Sequence, residues 1–216
     1  MHALFEKALS LLFPKSADER ATEALSISSL CQRIEERRIS LKGTETLTLF
    51  SYRDPGVRAL IHSVKYHRNK HAIELCAEAL HSILLDELSD RALFGADMPV
   101  LIPIPISKQR LRERGFNQTA LIAQKLFEID GGNSFSIDTT SLIRHKNAPS
   151  QTSFTDKSER EKNIIGAFSV PNPAHIAGKE IILLDDVVTT GSTIFEAVRV
   201  LKEAGAQKIF PVALAH

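Results

Sequence analysis

The sequence predicts an α/β protein: a mostly parallel central sheet flanked by helices, with a helical N-terminal extension. Three observations predict it. From about residue 98 onward, strand-like runs alternate with amphipathic helical stretches, the rhythm of a parallel sheet covered by helices. The run "IILL" at 181–184 is apolar on both faces, as a strand buried between two helical layers must be. Ahead of these, the first forty residues carry helical rather than strand spacing.

In chain order, Leu4, Phe5, Ala8, Leu9 and Leu12 recur at helical intervals, and after Pro14 a Ser16-x-x-Glu19 capping pattern opens "SADERATEALSISSLCQRIEERR". The charged run from Arg33 to Arg38 reads as the solvated end of that helix. "TETLTLFSYR" alternates and is rich in Thr and aromatics, which predicts a strand near 44–52. Pro55 suits a first helical turn, and Val57, Leu60, Ile61 and Val64 share one face of the helix it opens. A further helix, about 69–88, follows. "MPVLIPIPIS" is a buried strand and "FNQTALIAQKLFEI" an amphipathic helix. "TTSLIR" is a short strand, and "EIILLDDV" a second buried one. "STIFEAVRVLKEAGA" is a helix ending at Gly205, and "KIFPVALA" a last strand. The division expected is an extension over 1–43 and an α/β domain over 44–216. Between Arg144 and Asn163 lies a polar stretch without apolar pattern, either a functional flap or a surface connection.

Lys plus Arg number 27 against 26 for Asp plus Glu, so the chain has no global pull toward nucleic acid or membrane, and any anion site must be local. With 6% aromatics there is also no evident stacking platform. Cys31 and Cys76 stand in unrelated contexts, which leaves no disulfide framework or CxxC site and points to a reducing compartment. Glu6 and Lys7 interrupt the first apolar stretch, unlike a signal peptide, and no run reaches transmembrane length. A cytoplasmic protein with no membrane partner is expected; oligomeric state is not legible.

Two constellations carry chemistry. At 181–193, "IILLDDVVTTGST", Asp185 and Asp186 end a buried strand, where parallel sheets bind ligands. Thr189, Thr190, Gly191, Ser192 and Thr193 then form a small polar turn entering a helix, a phosphate cradle of backbone N–H groups and helix dipole. Ionised carboxylates accept hydrogen bonds and suit hydroxyls or hydrated Mg²⁺. Pair and cradle together describe a sugar phosphate; the plain alternative is a polar strand end with a helix cap. The second constellation, "PIPISKQRLRERGFNQ", sets Lys108, Arg110, Arg112 and Arg114 against Glu113, a local net charge of +3. Arginine grips phosphate bidentately, and Gly115 permits close approach of backbone to a ligand. As a basic loop after a buried strand it opens on the same sheet edge as the cradle; otherwise it is a solvated loop.

The 13-residue order of the first stretch resembles the phosphoribosyl-pyrophosphate (PRPP) signature of type I phosphoribosyltransferases. With "VLIPIPISKQRLRERGFNQTALIAQKL", "LIRHKNAPSQTSFTDKSEREKNIIGAF" and the Lys65-Tyr66 pair upstream, residues of roughly 50–216 resemble the ComF family. That resemblance implies a type I phosphoribosyltransferase-like fold and transfer of phosphoribosyl from Mg²⁺-PRPP to a nitrogen acceptor. It implies that Asp185 and Asp186 hold ribose hydroxyls and could carry Mg²⁺, that Val187 and Val188 belong to the PRPP-binding stretch, and that Thr189 to Thr193 hold the 5′-phosphate. Arg110, Arg112 and Arg114, with Lys108 and Gly115, would face pyrophosphate, and Gln151, Arg160 and Asn163 would close over it. Lys65 and Tyr66 either reach the site or cover the sheet. His62, His67 and His71 read as surface residues rather than metal ligands. The family name further implies a role in competence and DNA uptake, with single-stranded DNA or competence-protein partners. It also implies the alternative of a non-catalytic PRPP- or nucleotide-binding accessory protein. Members commonly begin with a cysteine-rich zinc module; Cys31 alone in the first 50 residues implies none here.

Overall fold

A computed structural model describes residues 15–92, 98–145 and 164–216. Helices α1 (Ala17–Glu23) and α2 (Ile27–Cys31) precede a hairpin of β1 (Ile34–Leu41) and β2 (Thr44–Phe50). Helices α3 (Pro55–His67) and α4 (Lys70–Ala92) lead to β3 (Val100–Pro103), a short α5 (Lys108–Arg114), α6 (Gln118–Asp130) and β4 (Ser136–Ile137). Then come β5 (Ile143–Arg144), β6 (Phe168–Ser169), β7 (Glu180–Val187), α7 (Ser192–Glu203) and β8 (Lys208–Ala215).

The main sheet runs β1-β2-β8-β7-β3-β4, parallel except for β1 on its outer edge. Alternation along β7 explains both layers. Ile182 and Leu184 face α3, α4 and α6, where Leu60, Leu80, Ile122 and Leu126 bury. Ile181 and Leu183 face α7, where Ile194, Ala197 and Leu201 bury. Among the described residues no helix is long and apolar enough to cross a membrane.

The local signals act as expected at several ends. Ser16 Oγ accepts the Glu19 N–H at 3.2 Å and Glu19 Oε2 accepts the Ser16 N–H at 2.9 Å, a closed capping box. Pro55 occupies the first turn of α3 behind Asp54, which accepts from the N–H groups of Gly56 and Val57. Gly205, at φ +88°, follows α7.

Three expectations need correction. The run Arg33–Arg38 does not end a helix. Ile34–Leu41 is a strand, and the helical extension stops at Cys31. Lys42 and Gly43, both at positive φ, make the two-residue turn to β2. The charges suit an edge strand exposed to water: Arg37 pairs Glu35 at 2.6 Å, and Arg38 bonds Glu45 and Glu87 while lying over Phe210. The segment "TTSLIR" does not join the main sheet; β5 pairs antiparallel with β6 in a separate two-stranded ribbon. The basic segment after β3 is not a loop, because Ser107 caps it and Lys108–Arg114 is helical.

His62, His67 and His71 serve the docking of the extension. His62 Nδ1 lies 3.2 Å from Asp18, His67 Nε2 3.3 Å from Ser16 Oγ, and His71 Nε2 2.9 Å from the Leu25 carbonyl. Beneath them Thr22 and Ser63 share a buried hydroxyl bond of 2.9 Å.

Candidate ligand site at the carboxyl edge of the sheet

β7 and β3 end side by side, with Pro103 opposite Leu184 and the Ile104 N–H donating to the Leu184 carbonyl at 2.8 Å. This register delivers the basic segment to the edge where Asp185 and Asp186 stand. Asn117 and Thr119 hold its far end by donating to the Ile104 carbonyl at 3.2 and 2.8 Å.

The two carboxylates differ. Asp186 is 7% exposed; its Oδ1 meets Lys65 Nζ at 3.1 Å and its Oδ2 accepts from Gln118 Nε2 at 2.6 Å. Lys65 therefore reaches the site from the end of α3. Gln118, itself 4% exposed, accepts at its amide oxygen from Arg114 Nη1 at 3.1 Å. A continuous polar chain thus runs Arg114, Gln118, Asp186, Lys65. Asp185 is half-buried, and its Oδ1 accepts the Asp186 N–H at 2.8 Å. Burial first, and then the Asp186 charge, push the Asp185 carboxyl up to about 7 against the opposing pull of that N–H, Lys65 and Arg144. Behind the pair, burial and the Asp186 charge hold the Cys76 thiol protonated, its pKa raised.

The turn after β7 is shaped by Gly191, at φ +74°, where an added Cβ would stand 2.6 Å from Leu41 Cβ. No other residue fits that close approach. Thr190 and Ser192 share a hydroxyl bond of 3.0 Å at the start of α7, and Thr189 is exposed. Thr193 is half-buried. The side chains of Val187 and Val188 pack into the two cores, leaving only their backbone to the edge.

Helical geometry divides the basic cluster. Arg110 and Arg114, four residues apart, share one side of α5, and Arg112 takes the other. Lys108, Arg110 and Arg112 are exposed. Arg114 lies 5.0 Å over the Tyr66 ring, and Arg68 lies 5.9 Å over Phe116. These reciprocal contacts join the end of α3 to α5, with Tyr66 57% exposed. They form the cationic aromatic surface that composition did not reveal. Gly115, at φ +80° with open space around it, ends α5 rather than meeting any neighbour closely.

Sequence reasoning missed Gln118 and Arg144. Arg144 rests 5.2 Å over Phe168, its Nε buried without a hydrogen-bond partner. Burial, then Arg110, pull its pKa down, and Asp185 opposes them. The signal available was an arginine closing a short strand. Gln151, Arg160 and Asn163 lie outside the described residues. Gly166 donates its N–H to Glu196 on α7 at 2.6 Å. Glu196, held below its ordinary pKa chiefly by Arg199, ties Gly166 to α7.

Residues 111–215 match the phosphoribosyl transferase domain family. The DNA utilization protein YhgH of Escherichia coli K12 is 30% identical over 156 residues, covering 72% of this chain and 65% of its own. Competence protein ComFC of Bacillus subtilis is 40% identical over 109 residues, 49% of this chain and 39% of its own. Competence protein F of Haemophilus influenzae is 32% identical over 111 residues, 50% and 46%. The chain thus spans less than two thirds of the length of these relatives. Among solved structures, the glutamine PRPP amidotransferase of B. subtilis in complex with ADP and GMP aligns with TM-score 0.42 at 18% identity, over 69% of this chain and 29% of that one. The chain thus carries a match to the phosphoribosyl transferase domain over residues 111–215 and is similar to proteins named for DNA utilization and competence.

Proposed function

We propose that the chain binds Mg²⁺-PRPP at the carboxyl edge and transfers its phosphoribosyl group to a nitrogen acceptor, releasing pyrophosphate. The observation that carries this reading is the division of labour at the end of β7. Asp186 is engaged by Lys65 and Gln118, while Asp185 stands half-buried beside the Gly191 turn. Asp185 Oδ2 is the carboxylate oxygen left for ribose hydroxyls or a hydrated cation. A site with one such oxygen fits Mg²⁺ held mainly by the ligand's own oxygens and water. Bound there, Mg²⁺ would neutralise charge growing on the leaving pyrophosphate.

The protein's own residues do the rest. Backbone N–H groups from Thr189 to Thr193 hold the 5′-phosphate at the start of α7. As the C1–O bond to pyrophosphate lengthens, the ribose ring gains positive charge, which the Asp185 carboxylate stabilises. Arg110, exposed on the side of α5 that also carries Arg114, and Arg144 receive the negative charge of the leaving group. Arg112 takes no part. Arg114, tied to Gln118 and Tyr66, is a positioning residue. Calorimetry with PRPP and Mg²⁺, then pyrophosphate release across a panel of bases and amines, tests this. Unchanged PRPP affinity in Asp185→Asn would overturn the site.

A second reading is favoured by the Tyr66–Arg114 and Arg68–Phe116 surface, where stacking rings and cations meet as in single-strand binders. On that reading the chain is a PRPP- or nucleotide-binding accessory protein acting on DNA, in line with its relatives' names. PRPP binding without turnover, together with single-stranded DNA binding lost in Tyr66→Ala, would select it.

A further inference from the structure

The reading above names the donor of the ribose and leaves its receiver open, and the inference here rests on that reading. His216 follows β8 at the carboxyl edge, beside the turn that would hold PRPP. Its N–H donates to the Phe50 carbonyl at 3.1 Å and its own carbonyl accepts from the Tyr52 N–H at 2.9 Å, so the end of β2 and the residues just after it hold its backbone at both polar groups. Asp185 pairs with Ala213 and Val187 with Ala215, which sets Asp186 level with Leu214. Side chains alternate between faces, so His216 shares the face of Asp186, one pleat nearer the edge, at a diagonal spacing of roughly 7–8 Å.

The ring is held as firmly as the backbone. Nδ1 lies 3.0 Å from the carbonyl of Val188, inside the segment that links Asp186 to Gly191. A carbonyl only accepts, so Nδ1 carries the hydrogen, and in the neutral ring Nε2 is left with a free lone pair. The residue is exposed, so that lone pair is within reach of a ligand. An imidazole oriented through one nitrogen and open at the other is built to accept a hydrogen bond from a ligand.

Strand order adds the direction of attack. In the sequence β8-β7-β3, the leaving-group arginine Arg110 follows β3 and His216 follows β8, with Asp185 on the strand between them. A displacement at C1 needs the nucleophile opposite the leaving group, which is the β8 side. Tyr52, whose N–H donates to the His216 carbonyl, is half-buried beside it and offers a flat ring an aromatic neighbour.

We propose that His216 forms the acceptor subsite, with Nε2 accepting a hydrogen bond from a planar nitrogen heterocycle of the nucleobase class, at an N–H that the heterocycle keeps after transfer. In the transfer, a bond forms between a different ring nitrogen and C1 while the C1–O bond breaks and its electron pair leaves on pyrophosphate. The proton of the attacking nitrogen passes to water.

The test uses the full chain, ¹⁵N-labelled, with imidazole signals read by long-range ¹H–¹⁵N correlation and His216 assigned by its loss in His216→Gln. The free protein should show the Nδ1–H tautomer at His216. Ribose 5-phosphate should bind and leave Nε2 unmoved, while at least one purine or pyrimidine nucleoside 5′-monophosphate should shift it. His216→Gln, which replaces an acceptor by a donor, should keep its affinity for ribose 5-phosphate. It should bind that nucleotide roughly three- to tenfold more weakly, the worth of one hydrogen bond. An Nε2–H tautomer, or a nucleotide affinity unchanged in His216→Gln, overturns the proposal while the PRPP reading stands. If neither ribose 5-phosphate nor PRPP binds, the PRPP reading falls and the acceptor subsite falls with it.

Discussion

Replacing Lys65 by Met removes the ammonium from Asp186 and keeps most of the side chain's volume. Asp186 is 7% exposed and would retain one neutral donor, Gln118 Nε2 at 2.6 Å. Breaking a buried ion pair from one side costs about 3–5 kcal/mol, because the remaining charge stays desolvated. The Lys65 side chain is itself 16% exposed, so water softens the loss toward the lower end, about 3 kcal/mol. At roughly 2–4 °C per kcal/mol for a chain of this size, the melting temperature should fall by about 6–12 °C. Adding Asp186→Asn removes the stranded charge, so the double variant should be more stable than Lys65→Met alone. Thermal and urea melts followed by circular dichroism on the two single variants and the double variant close the cycle. A Lys65→Met loss below about 1 kcal/mol, or strictly additive losses, would refute the view that this pair organises the site.

Three other outcomes follow from the same geometry. With its folded-state pKa raised from 3.8 to about 7, Asp185 keeps a proton that the unfolded chain releases, so its contribution to stability falls as pH rises between about 4 and 7. Asp185→Asn should flatten that slope in melts across this range; equal slopes would contradict the burial of this carboxyl. Gly191→Ala and Gly115→Ala both incur left-handed strain of roughly 1–2 kcal/mol. Only the first drives a Cβ to 2.6 Å from Leu41, which should add about 1–3 kcal/mol; equal losses in the two variants would dismiss the close approach. Arg144→Met gives up no protein hydrogen bond at Nε, so it should melt near the parent while PRPP affinity drops roughly tenfold or more, as for a lost charge-assisted bond. A large stability loss with unchanged affinity would make Arg144 a structural residue.

Much of the fold was legible because its signals are local. The capping box at Ser16, Pro55 at a first turn, Gly205 after α7 and the doubly apolar β7 each act within a few residues, and each stands where the pattern puts it. What escaped depends on partners distant in sequence. The run Arg33–Arg38 has charges suited to a solvated helix end, and only pairing with β2 and the reach of Arg38 to Glu87 make it a strand. Its one local signal was the Lys42-Gly43 pair between two alternating runs. The charge of the basic segment was visible, but its helical form was not, and that form separates Arg112 from Arg110 and Arg114. Gln118 is an ordinary residue in an amphipathic pattern until the end of β7 comes to 2.6 Å from it.

Two adjacent aspartates at the end of a buried strand look like a fault, since like charges side by side should repel. Alternation along β7 removes most of the difficulty by sending the two side chains to opposite faces. Asp186 turns toward α3 and α6, where Lys65 neutralises it and Gln118 satisfies it. Asp185 turns the other way, takes the N–H of its neighbour, and answers the residual repulsion with a raised pKa. The pairing is therefore asymmetric by construction: one carboxylate joins α3, α6 and β7 into a rigid edge, and the other is held on that edge with an oxygen to offer. A substitution at Asp186 should then act through stability and ligand affinity together, whereas one at Asp185 should act on affinity while stabilising the fold above pH 7.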